Sequence, residues 1–100
     1  MIKGNTVMEN PFKNDEKFKN FKDKNNCIYA VIHYDWDYDH SKETFKIIGF
    51  DDYKTAYNTA LQISEGGVWV YLINAVHNDV IMYLTGWCTK KFWKFLFTLD

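Results

Sequence analysis

Residues 51–67 read DDYKTAYNTALQISEGG, and no other segment limits the possible folds as much. Tyr53, Ala56, Tyr57, Ala60, Leu61 and Ile63 or Ser64 recur at spacings of three and four, which places them on one stripe of a helix. Asp51 or Asp52 stands where an N-cap carboxylate accepts the first free amides and complements the helix dipole. Gly66 and Gly67 follow where a left-handed cap is needed. The spacing therefore predicts a helix over Asp52–Glu65, with Ala56 and Ala60 small enough to let it lie close on a sheet. On either side of this segment the periodicity changes from helical to strand-like.

Before the helix, CIYAVIHY (Cys27–Tyr34) is rich in β-formers and follows the Asn25-Asn26 pair, so it reads as a strand. Its parity puts Ile28, Ala30, Ile32 and Tyr34 on one face and Tyr29, Val31 and His33 on the other. TFKIIGF (Thr44–Phe50) reads as a second strand pairing with the first in a long hairpin. After the helix come VWVYLINAV (Val68–Val76) and DVIMYLTGW (Asp79–Trp87), joined at His77-Asn78-Asp79, where Asn78 tolerates positive φ. The expected fold is α+β, in β-β-α-β-β order. One helix lies on a face of an antiparallel sheet of about four strands. The closing TKKFWKFLFTLD carries Phe92, Phe95, Leu96 and Leu99 at helical spacing, although an aromatic strand over residues 89–99 fits too.

One hundred residues suit a single domain. Aromatics at 19% supply a core despite the short chain, because each buried ring removes roughly 150–250 Å² from water. Residues 1–26 read as a polar tail with a short helix over Asp15–Lys24, pinned by Phe18 and Phe21; residues 27–100 form the domain. Either Met1 or Met8 fits as the starting residue. Residues 1–26 hold six Lys against four acids, residues 27–52 two Lys against six acids, and residues 88–100 three Lys against one. An acidic middle between mildly basic ends, with no arginine anywhere, argues against nucleic-acid binding. Cys27 and Cys88 follow no metal spacing and read as free thiols of a reducing compartment. No apolar leader and no run long enough to span a membrane is present, which points to an intracellular protein. Abundant Lys, Asn, Ile, Tyr and Phe without Arg matches AT-rich coding.

The only segment that looks chemical is HYDWDYDH, residues 33–40. On a strand, His33, Asp35, Asp37 and Asp39 share one face and Tyr34, Trp36, Tyr38 and His40 the other. An imidazole with carboxylates suits a hard divalent cation, and His33, Asp35 and Asp37 are the residues that would ligate one. Against this, a calcium loop counted from Asp35 meets His40 where Gly is required and Lys46 where the bidentate Glu belongs. Alternate residues of a flat strand also stand roughly 7 Å apart, too far to converge on one ion unaided. A nucleophilic site built from His33, Asp35 and Cys27 lacks the flanking signals of such sites. His77 reads as a solvated turn histidine, and Gly66-Gly67 follows a helix where a phosphate loop would open one. The basic, aromatic C-terminus suits covering the sheet better than lying on a membrane. No cofactor is expected. The stretch reads best as a hairpin tip, whose charges also discourage edge-to-edge association. Its acid-flanked Trp36 and Tyr38, with Asp35, Asp37 and Asp39, suit a surface that docks a protein.

IYAVIHYDWDYD, KIIGFDDYKTAYNTALQI, VWVYLINAV and the TGW at Thr85–Trp87 together resemble a set of short strand-strand-helix-strand proteins of bacteria, phages and large DNA viruses. The resemblance covers residues 27–87 and implies a fold, carrying no catalytic residues over to this chain, which differs in a basic tail at each end. The expected function is a non-enzymatic interaction module, such as a viral or phage accessory protein acting on a host or virion protein in the host cytoplasm or the virion. The alternatives are a small metal-dependent hydrolase centred on His33, Asp35 and Asp37, and a structural virion component.

Overall fold

The computed structural model describes residues 8–84. Its elements are α1 (Glu16–Lys24), β1 (Tyr29–Asp37), β2 (Lys42–Phe50), α2 (Tyr53–Ser64), β3 (Val70–Asn74) and β4 (Asp79–Leu84). The strands form one antiparallel sheet in the order β2-β1-β3-β4. The α+β class and the four antiparallel strands agree with the expectation. The order of elements is α-β-β-α-β-β, however, with a helix against each face in place of one helix on one face.

The reason lies in β1. Ala30, Val31 and Ile32 are consecutive and all fully buried, so both faces of this strand need a cover. On one face Val31 joins Val70, Leu72, Met82 and Leu84 beneath Ala56 and Ala60 of α2. On the other, Ala30, Ile32, Ile73 and Val80 pack under Phe18 of α1, with Phe12 and Phe21 alongside. The segment expected to be a polar tail thus supplies a layer of the molecule. Its helix forms within the predicted span because Asp15 accepts the Lys17 and Phe18 amides, and Lys22 and Lys24 close the last turn. Ahead of it, Val80 N–H donates to Met8 O and Asn10 N–H to Asn78 O, both at 2.8 Å, which ties residues 8–10 to β4.

Helix α2 matches its prediction closely. Asp52 caps it, accepting from the Thr55 amide at 2.8 Å and the Thr55 hydroxyl at 2.7 Å, and these bonds hold its carboxyl below the usual range. Glu65 ends it, and Gly67 adopts φ 86 just beyond. Tyr53, expected on the buried stripe, is instead 44% exposed and meets Tyr29 edge-on, because the stripe reaches the sheet only from Ala56 onward. Strand β3 is shorter than Val68–Val76. The Asn74 side chain accepts the Val76 and His77 amides, which turns the chain at Ala75–Asn78, and Asn78 takes φ 60. The segments expected over residues 89–99 and at Cys88 lie outside the described residues.

Candidate functional site

The β1–β2 hairpin is longer than the sheet it belongs to. β1 pairs with β2 from Tyr29↔Phe50 to Asp37↔Lys42, whereas its ladder with β3 ends at His33↔Val70. Beyond that point the two strands run on as a ribbon, closed by the turn Tyr38–Ser41. Asp37 organises this turn. One carboxylate oxygen accepts the Asp39 amide at 3.0 Å and the His40 amide at 3.2 Å, and the other lies 2.8 Å from His40 Nδ1. The His40 ring, followed by these amides, holds the Asp37 carboxyl below its ordinary range. Ser41 completes the reversal at φ 50.

Parity places the candidate residues as expected as far as Asp37. Tyr38, Asp39 and His40, expected to continue the alternation, lie instead in the turn, because the Asp37 carboxylate captures the Asp39 and His40 amides. Trp36 shares the α1 face with Ala30 and Ile32, and Asp35 and Asp37 share the α2 face with Val31. Tyr38 is 84% exposed at the tip and Trp36 is 36% exposed on the ribbon. Tyr34, one step inward, is half-buried with its ring centroid 6.3 Å from that of Trp69. Here the strand leaves the core.

The residues named as possible metal ligands have other engagements. His33 Nδ1 lies 2.9 Å from the Tyr34 carbonyl, to which the ring N–H donates. Asp35 faces Lys46 at 3.6 Å, and Asp37 is taken up by the turn. Among the described residues no group of three or more His, Cys, Asp or Glu side chains could hold a metal ion. Cys27, named for a nucleophilic site, lies at the far end of β1 from Asp35; it is a half-buried free thiol whose pKa burial pushes up.

An open groove of about 370 Å³ runs along the ribbon, lined by Asp35, Trp36, Asp37, Tyr38 and Asp39 together with Lys17, Thr44 and Lys46. Sequence reasoning missed the last three. Lys46 follows once the hairpin register sets His33 opposite it, but that register depends on the four-residue turn. Lys17 arrives from α1 through tertiary packing alone. Its ammonium reaches the Phe45 carbonyl, lies 3.4 Å from the Thr44 hydroxyl and sits 4.7 Å from the Phe45 ring centroid.

No helix among the described residues is long and apolar enough to cross a membrane. Compared with known protein families, curated proteins and solved structures, the chain matches none.

Proposed function

We propose that this protein is a non-enzymatic interaction module whose binding surface is the projecting end of the β1–β2 hairpin. One observation carries the reading: a ribbon anchored in the core carries Trp36 and Tyr38 past the last cross-strand pair with β3, exposed and set among carboxylates. Aromatic side chains bring large contact area at low entropic cost, and they dominate the energetics of many interfaces. Strand pairing below and the Asp37 turn above fix their positions before a partner arrives, which reduces the ordering cost of binding. The engagement of Asp37 by the turn and of Asp35 by Lys46 supports a binding role over a hydrolase centred on His33, Asp35 and Asp37. The resemblance of residues 27–87 to short proteins of bacteria, phages and large DNA viruses is compatible with an accessory protein acting on a host or virion protein.

The test is affinity capture from host extract, comparing the wild type with Trp36→Ser/Tyr38→Ser. The double variant is expected to melt within a few degrees of the wild type, because both rings lie outside the buried core. It is also expected to lose the specific partner that the wild type retains. Equal capture, or a variant that fails to fold, would remove the ribbon as the functional surface.

A further inference from the structure

We infer that the ribbon takes its partner by strand addition along β1, and that the partner supplies an extended segment in which basic and apolar residues alternate. This inference rests on the ribbon being the interaction surface and adds the mode and chemistry of recognition.

The edges of the sheet differ in how they are covered. An unpaired strand edge is a template for another strand, and folded proteins guard such edges. At the β2 edge, the outward Phe45 carbonyl accepts from the Lys17 ammonium. The β4 edge begins to be paired by residues 8–10. A further step in the sheet edge lies where β1 outruns β3. Tyr34 N–H donates to Trp69 O at 3.1 Å, one residue past the end of the ladder. In an antiparallel sheet alternate residues address the same neighbour, so the N–H and C=O of Trp36 point the way those of Tyr34 do. They point past the end of β3, and no described residue pairs with them.

Parity and charge define what this edge can take. A strand laid on this edge prolongs the line of β3. Its residues opposite Asp35 and Asp37 share the α2 face with those carboxylates, at the roughly 4.5–5.5 Å Cβ separation of cross-strand neighbours. The residue between them falls on the face of Trp36. The Asp35 and Asp37 carboxylates favour Lys or Arg opposite them, Asp37 by its charge alone because both its oxygens hold the turn, and the indole favours an apolar or aromatic side chain between. The Asp39 carboxylate, which has no partner among the described residues, adds attraction at the tip. Lys46 does not block this arrangement: it sits on the β2 side of Asp35, in an exposed pair that an incoming cation can share. A second copy of the same edge is disfavoured, because it would set Asp35 and Asp37 against like charges.

The test uses the full chain, labelled for amide NMR, and three octapeptides. One alternates Lys and Val, the second groups the same residues in blocks, and the third alternates Glu and Val. The Lys-Val alternating peptide is expected to shift the Asp35–Tyr38 amides, to slow hydrogen exchange at Trp36, and to bind more weakly as salt rises. Asp35→Asn/Asp37→Asn should weaken it several-fold; Asn at 37 keeps an acceptor for the turn amides, and unchanged spectra elsewhere would verify the fold. Equal binding of the block peptide would reduce recognition to charge and overturn strand addition. So would slow exchange at Trp36 in the free chain, or shifts confined to another surface. If Trp36→Ser/Tyr38→Ser abolishes host-protein capture while the alternating peptide leaves the ribbon unshifted, this inference alone fails. Unchanged capture would defeat the reading beneath it.

Discussion

At Gly49, one residue before the end of β2, an added methyl group would lie 2.9 Å from both Cys27 Sγ and Phe21 Cζ. The requirement here is close approach, not an unusual φ. The edge strand, the end of α1 and the start of β1 meet at this point, and only the absence of a Cβ lets Phe21 and Cys27 fit. Gly49→Ala is therefore expected to lower unfolding stability by about 1–3 kcal/mol, the cost of overpacking a filled site. Chemical denaturation checks it, and a change within error would show that the two side chains swing aside freely. The glycine was visible in the sequence but its reason was not, since Phe21 is 28 positions away along the chain. Asp37 is the opposite case. Its partners lie within three residues, and a local reading found a hairpin tip in this stretch, though not that Asp37 ends the strand and organises the turn. Asn10 belongs with Gly49: it is buried, its side-chain oxygen accepts the Phe12 amide at 2.8 Å, and nothing in the surrounding sequence marks it as interior.

At the scale of elements, helices followed their local signals most closely. The α2 stripe, the Asp52 cap and the glycine stop are all encoded within a few residues of where they act. Its packing is tight for a reason also present locally, because Ala56 and Ala60 are fully buried against the sheet. Ala60→Leu should force a larger side chain into that contact and cost about 1–3 kcal/mol. Asn58→Leu, on the exposed side of the same helix, should stay within about 0.5 kcal/mol of the wild type. Thermal melts of the two variants compare them directly, and equal losses would mean that the buried face is misassigned. Strand ends were less legible. β1 and β2 both extend further toward the tip than their apolar patterns suggest, because cross-strand pairing continues through Asp35, Trp36 and Asp37 despite their polarity. β3 ends early because a side chain, that of Asn74, captures the amides that would have continued it.

At the scale of the molecule, the decisive fact is that the sheet is covered twice. The clearest single probe is Phe18, 1% exposed and central to the α1-side cluster. Phe18→Ala is expected to cost about 3–5 kcal/mol, the range for deleting a buried aromatic ring. If residues 8–24 were only an appended tail, the substitution would leave the unfolding transition where it is, and equilibrium denaturation separates the two outcomes. The same layer also reaches the candidate site, since Lys17 extends from α1 to the edge of β2 beside the ribbon.

By itself the sequence determined much of what depends on neighbours along the chain, although not the turn that Asn74 makes. That includes the α2 span and its caps, the presence of four strands, a hairpin tip within residues 33–40, and the separation of Trp36 from Asp35 and Asp37 onto opposite faces. These follow from periods of two and of three to four, and from side chains that bond amides two or three positions away. Only the tertiary structure decided the strand order β2-β1-β3-β4, the second covering layer, the fit at Gly49, and the place of Lys17 and Lys46 around the ribbon. Three phenylalanines in a polar segment show that something is covered but not which face needs covering. That depends on β1 lying between two other strands with apolar side chains on both sides, an outcome of how distant strands pair.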